Sequence, residues 1–256
     1  MINITRKDDI DAFFLCHNNA KATLEVVKKF FEIYPNGNIY LYCDNGKFNY
    51  QSLTESYPNI YYKHNNFTIN PFAMPVKRAM SWASIFHHTC SLSKRKYLMH
   101  LEDDVWVNRR VKARSKHNML SAKCFSYAVF RSKTYQNIIR YPSLENMSQH
   151  YGGPGGTIFE REIISKQKLF NIYSMIKHFC QAGRLWSDQL LTLMIYLGQG
   201  TLGYHKYLGR EPDRDVSHSH DNKIYYGEPL TREDRRLVFC KKYNEIFKKT
   251  FPEEGS

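Results

Sequence analysis

The chain has 256 residues and a formal net charge of +13 at pH 7, with 42% hydrophobic and 15% aromatic residues. This composition is typical of a folded globule, and no run approaches the roughly 18 apolar residues of a membrane-spanning helix. The charge favours an acidic partner, which can be a nucleic acid, an anionic membrane surface or a phosphorylated small molecule.

The first hundred residues alternate between strand and helix patterns. They begin with a polar segment that lacks the apolar core of a secretory signal, so we expect a cytoplasmic protein. The six cysteines are scattered without a Cys-x-x-Cys pair, and we expect them to be reduced. The predicted elements are strands at residues 11–19, 38–46, 59–64 and 97–101 and helices at residues 20–35 and 76–92. This alternation predicts an α/β fold with a mostly parallel central sheet flanked by helices.

The second half of the chain is less regular. The predicted elements are a strand at residues 125–131, a loop at residues 151–162, helices near residues 161–181 and 188–197, and a terminal helix at residues 232–250. No internal repeat or low-complexity linker divides the sequence, so we predict one domain.

Three consecutive carboxylates follow the strand predicted at residues 97–101, namely Glu102, Asp103 and Asp104. Like charges this close repel one another, and a cation is the simplest way to keep them ionised. Carboxylate oxygens are ligands that Mg²⁺ and Mn²⁺ prefer. The ends of neighbouring predicted strands carry further polar residues, namely His17, Asn18 and Asp44. Ligands bind at this carboxyl edge in parallel sheets, so we expect a binding site there.

The helix predicted at residues 188–197 begins with a carboxylate. Ser187 would cap this helix, which puts Asp188 in its first turn beside the aromatic Trp186. The helix dipole stabilises a negative charge at that position. Asp188 is therefore either an ordinary helix-end carboxylate or a general base held at the edge of a cleft.

Two further patterns each have two interpretations. His218 and His220 lie two residues apart, on one face of an extended segment, and are either surface residues or metal ligands. The loop at residues 151–162 contains four glycines, Gly152, Gly153, Gly155 and Gly156. They form either a tight turn or a loop that lets the backbone approach a ligand.

Neither a Walker loop nor a Gly-x-Gly-x-x-Gly motif follows the first strand, which argues against NTPases and dinucleotide-binding enzymes.

The order of these features resembles that of glycosyltransferases with the GT-A fold. The cluster Glu102-Asp103-Asp104 is most similar to the EDD variant of their DxD motif, found in inverting enzymes, and the resemblance covers residues 11–220. It implies a single GT-A-like domain in three parts. These are a Rossmann-like half that binds the nucleotide sugar at residues 1–110, an acceptor-binding and catalytic half at residues 111–225, and a C-terminal helix and tail at residues 226–256.

The resemblance also implies a role for each residue of the acidic cluster. Asp104 would hold Mn²⁺ or Mg²⁺ together with either His218 or His220, the late histidine of the family pattern. Glu102 and Asp103 would contact hydroxyl groups of the ribose and of the sugar.

On the donor side, the resemblance implies that Asp44 binds the base. His17 and Asn18 would line the same rim. Arg78, or its neighbour Lys77, would contact the diphosphate.

On the acceptor side, Asp188 would take the proton of the attacking hydroxyl. The four glycines and Trp186 would border the donor sugar and the acceptor. The usual acidic pair of the family is Ser187-Asp188 here, which leaves one candidate base.

The implied activity is a metal-dependent, inverting transfer of a sugar from a nucleotide diphosphate, with UDP expected, to a glycan, glycoprotein or glycolipid. No nucleic acid partner is expected. A peripheral contact with a membrane is compatible with this activity but is not required. Two alternatives stay open. A metal-dependent nuclease or phosphodiesterase would also use an acidic cluster. A basic module without enzymatic activity would bind nucleic acid or membrane through residues 109–116 and the terminal helix.

Overall fold

The computed structural model describes residues 1–16, 19–66, 74–121, 124–126, 150–152, 155–181, 187–209 and 213–218. The strands are β1 (Ile2–Ile4), β2 (Asp11–Cys16), β3 (Ile39–Asp44), β4 (Ile60–Asn65), β5 (Tyr97–Leu101), β6 (Val105–Val107), β7 (Ala113–Ser115), β8 (Met119–Ser121), β9 (Cys124–Ser126), β10 (His150–Gly152), β11 (Ile158–Glu160), β12 (Leu202–Tyr204), β13 (Leu208–Gly209) and β14 (Val216–His218). The helices are α1 (Ala20–Ile33), α2 (Leu53–Ser56), α3 (Val76–Leu92), α4 (Glu162–Ser165), α5 (Leu169–Gln181) and α6 (Ser187–Leu197).

Seven strands form the central sheet in the order β12-β8-β11-β5-β2-β3-β4. β2 pairs in parallel with β3 and with β5, β3 with β4, and β8 with β12. β11 runs antiparallel to both of its neighbours, β5 and β8. The predicted mostly parallel sheet is therefore confirmed, with one antiparallel strand inside the region that the sequence predicted as a loop.

Helices cover both faces of the parallel half of the sheet, and β2 shows how. Successive residues of a strand point to opposite faces. Phe13 packs edge-on against Phe86 of α3, with ring centroids 4.7 Å apart, whereas Phe14 belongs to the opposite core with Val27 and Phe30 of α1. Burial on both faces explains the nearly continuous apolar run of β2. In the described part of the chain, no helix combines the length and the apolar character needed to cross a bilayer.

The second half differs from the prediction in its helices. The helix expected near residues 161–181 is split into α4 and α5 by a turn. At this turn the Gln167 amide nitrogen donates to the carbonyl oxygens of Ile163 and Met194, at 2.6 and 2.7 Å, which ties the break to α6. The described part of the strand expected at residues 125–131 is the end of β9. The terminal helix expected at residues 232–250 lies outside the described residues.

A three-stranded sheet in the order β13-β14-β6 lies next to the carboxyl end of β5. β6 begins directly after the acidic cluster and pairs antiparallel with β14, so that Val105 is opposite His218. This pairing brings a segment from late in the chain to the end of a central strand.

A buried carboxylate ties together three elements at the opposite edge of the sheet. Asp11, at the start of β2, is fully buried. Its side chain accepts hydrogen bonds from the backbone and side-chain nitrogens of Asn38, at 2.9 and 3.0 Å. It also accepts one from the Ser93 hydroxyl, at 2.7 Å, at the end of α3. Asp11 thus joins β2, the start of β3 and the end of α3.

We predict that Asp11→Ala lowers the free energy of unfolding by about 3 kcal/mol, because the buried hydroxyl of Ser93 and the partly buried nitrogens of Asn38 lose their acceptor. Urea unfolding followed by circular dichroism measures this change. The control Glu55→Ala removes an exposed carboxylate from α2 and should change the free energy by less than about 0.5 kcal/mol. A loss as small as that of the control would contradict the role of Asp11.

Candidate active site

Two carboxylates and a histidine meet at the carboxyl end of β5. The Nε2 atom of His218 lies 3.2 Å from Oδ1 of Asp104 and 3.6 Å from Oε2 of Glu102. Glu102 and Asp104 belong to the turn between β5 and β6, whereas His218 ends β14. The structure therefore brings together two residues that the sequence assigned to a metal, Asp104 and His218. It adds Glu102, which the sequence assigned to a hydroxyl group of the donor.

The chemistry of this cluster suits a divalent cation. One ligand atom from each of Glu102, Asp104 and His218 lies within 4.8 Å of the other two. Carboxylate oxygens suit Mg²⁺ and Mn²⁺, and the imidazole nitrogen favours Mn²⁺ because Mg²⁺ takes oxygen ligands. Asp104 is only 7% exposed, and a cation would offset its repulsion with the partly buried carboxylate of Glu102. The other histidine assigned to the metal, His220, lies outside the described residues.

Asp215 anchors the segment that carries His218. Its carboxylate is nearly buried and accepts hydrogen bonds from the Arg109 side chain and, at 3.0 Å, from the backbone nitrogen of Lys112. Its carbonyl oxygen accepts from the backbone nitrogen of Asn108 at 2.9 Å. These contacts bind the start of β14 to the segment that follows β6. They hold His218 beside the acidic cluster.

Gly155 lies directly against the same cluster. A Cβ atom at this position would be 2.8 Å from Cε1 and 2.9 Å from Nδ1 of His218, and 3.0 Å from Oε2 of Glu102. Any side chain here would therefore displace the histidine or the glutamate. The next residue, Gly156, has a φ angle of +76°, in the left-handed region that favours glycine. The glycine-rich loop is thus a wall of the cluster as well as a turn.

Helix α6 packs against the glycine-containing strand β10. The backbone nitrogen of Gly152 donates to Oγ1 of Thr192 at 3.1 Å, which ties β10 to α6. Asp188 lies in the first turn of α6, as predicted, and one turn before Thr192. Two residues that the sequence assigned to the same border, Gly153 and Trp186, lie outside the described residues.

Gln189 was missed by the sequence analysis. It follows Asp188 in the first turn of α6 and is only 4% exposed. A buried amide is normally hydrogen-bonded, and it can both donate and accept. An amide at the start of an apolar helix was a visible signal, but the pattern does not distinguish a site residue from a polar helix end.

The carboxyl ends of β3 and β4 lie at the same edge of the sheet as the cluster, beyond β2, and carry polar side chains. Asp44 ends β3 and is paired in register with Asn65, which ends β4. Both residues are 4% exposed. The two other residues assigned to this rim, His17 and Asn18, lie outside the described residues.

Asp103 stands apart from its two neighbours in sequence. Burial is the main cause that raises the pKa of the Cys16 thiol and of the Tyr50 hydroxyl, and the negative charge of Asp103 is a smaller one. In the described part of the chain, Asp103 is not a member of the cluster that Glu102 and Asp104 form with His218.

Two basic residues begin α3. Lys77 and Arg78 lie in its first turn, and both are exposed. Since α3 connects the parallel strands β4 and β5, it begins at the carboxyl edge of the sheet, where the cluster lies. A helix start also presents backbone N–H groups, which favour anions.

His100 is a second residue to which the sequence analysis gave no role. It lies in β5, is 1% exposed, and its ring stacks on Phe13 with centroids 5.3 Å apart. Its Nδ1 atom is 3.9 Å from Oε1 of Glu102. His100 thus separates Glu102 from the aromatic core.

Comparison with known proteins supports the fold class. No protein-family model and no curated protein matches the sequence. The crystal structure of the galactosyltransferase LgtC in complex with donor and acceptor sugar analogs is similar, with a TM-score of 0.56 and 13% identity over 96% of this chain and 98% of that chain. An active-site mutant of LgtC, in which a glutamine is replaced by glutamate, gives a TM-score of 0.54 and 14% identity over the same shares. The GT-A-like fold class predicted from the sequence is therefore confirmed.

We predict that Gly155→Ala weakens Mn²⁺ binding by about tenfold or more, because the added methyl group displaces His218 or Glu102. Isothermal titration calorimetry without nucleotide measures the dissociation constant. The control Gly203→Ala places a methyl group against another imidazole, that of His117, outside the cluster. It should leave Mn²⁺ affinity unchanged, and equal affinities for both variants would contradict the close packing described for Gly155.

Proposed function

We propose that this protein is a metal-dependent glycosyltransferase. It transfers a sugar from a nucleotide-diphosphate sugar, a UDP-sugar, to a hydroxyl group of a glycan, glycoprotein or glycolipid. The observation that carries the proposal is the cluster of Glu102, Asp104 and His218 on this fold. The cluster lies at the carboxyl edge of the sheet, where α/β proteins bind ligands. A protein of similar fold, LgtC, is a galactosyltransferase whose structure holds donor and acceptor sugar analogs.

The cluster suits the charge that develops in such a reaction. The bond between sugar and diphosphate breaks without a proton to neutralise the leaving group, and a bound Mn²⁺ or Mg²⁺ would stabilise that charge. We assign Glu102, Asp104 and His218 as its protein ligands. Three protein ligands leave room for phosphate oxygens and water.

Base recognition is proposed for Asp44 and Asn65. The Asp44 carboxylate can accept a hydrogen bond from a ring N–H group. The side-chain nitrogen of Asn65 is buried and has no hydrogen-bond partner in the described part of the chain, so it can donate to a ring carbonyl. Uracil presents an N–H group beside carbonyl groups and so fits these two side chains, as guanine also does. His17 and Asn18 are proposed to complete this rim.

The remaining donor contacts are proposed for charged residues on either side of the base. Asp103, in the turn after β5, would accept hydrogen bonds from ribose hydroxyls. Arg78 or Lys77, at the start of α3, would neutralise part of the diphosphate charge.

Asp188 is proposed as the general base. The dipole at a helix start favours an ionised carboxylate. The hydrogen bond between Gly152 and Thr192 ties α6 to β10, which supports a position of Asp188 near the glycine-rich loop that, with Trp186, would border the two sugars. A base at this position supports attack from the face opposite the diphosphate, and hence inversion at the anomeric carbon.

Gln189 is proposed to bind a sugar hydroxyl beside Asp188. The LgtC active-site mutant carries glutamate in place of a glutamine, so a glutamine serves the active site of a protein of similar fold. An amide can donate and accept hydrogen bonds but cannot take a proton at neutral pH. The two neighbours would therefore have different functions, one in binding and one in proton transfer.

The alternatives explain the observations less well. A two-metal nuclease needs carboxylates from several segments to hold ions about 4 Å apart. In the described ranges, the one group of this kind has two carboxylates and a histidine. Part of the basic run at residues 109–116 is engaged within the protein, since Arg109 pairs with Asp215 and Arg110 with Asp9. These pairs reduce the support for a nucleic-acid-binding module.

We predict that a UDP-sugar with Mn²⁺ raises the melting temperature of the protein, and that Asp104→Asn loses the Mn²⁺-dependent part of this rise. A ligand at one hundred times its dissociation constant stabilises the native state by about 2.7 kcal/mol. A thermal-shift screen of UDP, GDP and CMP sugars, with and without Mn²⁺, measures this. Asp213→Asn, which removes an exposed carboxylate near β14, is the control and should behave as the parent. Stabilisation by DNA instead of any sugar nucleotide would contradict the proposal.

We predict that Asp188→Asn lowers kcat by about 10² to 10⁴, the range that general-base catalysis contributes, while donor affinity is retained. Stability should fall by no more than about 1 kcal/mol, because asparagine is also suited to helix starts. Calorimetry gives the donor affinity, and the parent's product, followed by NMR, should have the opposite anomeric configuration to the donor. Unchanged kcat in Asp188→Asn, or retained configuration in the parent, would contradict a base at this position.

A further inference from the structure

Tyr207 connects several backbone segments around the cluster of Glu102, Asp104 and His218. It precedes β13, and only 3% of it is exposed. Its hydroxyl group lies 2.9 Å from the carbonyl oxygen of Gly156 and 3.2 Å from that of Leu120, and can donate to either. The same oxygen accepts a hydrogen bond from the backbone nitrogen of Ile158 at 3.1 Å. One side chain thus holds the glycine-rich loop to β8 and β11.

The backbone of Tyr207 holds the opposite wall of the cluster. Its carbonyl oxygen accepts a hydrogen bond from the backbone nitrogen of Val216, at 3.0 Å. Val216 begins β14, the strand that ends at His218. Tyr207 therefore bonds to the glycine-rich loop through its side chain and to the strand of His218 through its main chain.

The backbone at Gly155 and Gly156 packs closely against β13 and β14. A Cβ atom on Gly156 would be 2.5 Å from Leu208 and 3.0 Å from Val216. Gly155 is in equally close contact with His218 and Glu102. A small outward movement of the loop would remove these contacts, and an inward one would push the histidine away from the carboxylates.

The Tyr207 hydroxyl is suited to a permanent structural hydrogen bond. Complete burial raises its pKa well above the usual value for tyrosine. The raised pKa favours the protonated phenol, whose hydrogen is then available to a carbonyl oxygen.

We propose that Tyr207 is a positioning residue for metal binding: its hydroxyl group fixes the distance between the glycine-rich loop and β14 at which Glu102 and His218 bind one ion. The inference rests on the metal-dependent function proposed above. Tyr207 is not among the residues that would hold the ion, and its effect would pass through Gly155 and Gly156.

The test compares two variants that each remove one buried tyrosine hydroxyl. Tyr207→Phe keeps the ring and removes the bonds to Gly156 and Ile158. Tyr97→Phe is the matched control, since the Tyr97 hydroxyl also accepts from a backbone nitrogen and donates to a backbone oxygen, both of Asn3, at 3.0 and 3.1 Å. Tyr97 begins β5, at the end of the strand away from the cluster. Both variants should lose stability, so stability alone does not distinguish them.

We expect Tyr207→Phe to raise the dissociation constant for Mn²⁺ about tenfold, the lower end of the range for groups that orient metal ligands, while Tyr97→Phe leaves it unchanged. Calorimetry without nucleotide measures both constants, and the EPR spectrum of bound Mn²⁺ should change only in Tyr207→Phe. If Tyr207→Phe is too unstable for titration, the rise in its melting temperature with Mn²⁺ gives the same comparison.

The outcomes separate this inference from the proposed function. Equal Mn²⁺ affinity in the parent and in Tyr207→Phe, with unchanged EPR spectra, overturns the positioning role and leaves the metal site in place. A parent protein that binds no Mn²⁺ overturns both. An equal loss of affinity in Tyr97→Phe would show a general effect of destabilisation and would also overturn the role of Tyr207.

Discussion

The antiparallel pairing of β6 with β14 is the contact on which the candidate site depends. It places His218 opposite Val105, next to the carboxylates that follow β5. Both strands are short. Hydrogen bonds from Arg109 and Lys112 to Asp215, which directly precedes β14, hold β14 beside β6. Without this pairing the turn after β5 would carry only like charges. With it, two carboxylates and an imidazole meet at one edge of the sheet.

The sequence predicted well those elements that are long enough to show a hydrophobic periodicity. It predicted poorly the short strands that form only by pairing with residues distant in the chain. β2, β3 and α1 have buried runs or faces of sufficient length to be recognised. β6, β11 and β14 have three residues each, too few to establish an alternation. The break between α4 and α5 was also missed, because it depends on Gln167 and its contact with the later helix α6.

The same distinction applies to the site. Asp104 and Asp188 could be proposed as site residues from residue type and position, since each is a carboxylate at the end of a predicted element. The grouping of Glu102 with Asp104, apart from Asp103, depends on side-chain direction in a turn. Tyr207 carries no sequence signal at all, because a buried tyrosine looks the same whether its hydroxyl holds a loop or not. Polar groups of this kind acquire a role only through their tertiary partners.

The absence of a side chain at position 155 links two distant places in the chain over evolution. Gly155 leaves no space between its backbone and the His218 ring. A substitution at either residue alone would therefore be selected against, whereas paired changes could survive. Among relatives of this chain, position 155 should therefore stay glycine wherever position 218 is a histidine. This dependence of one position on the other can be sought in sequences alone.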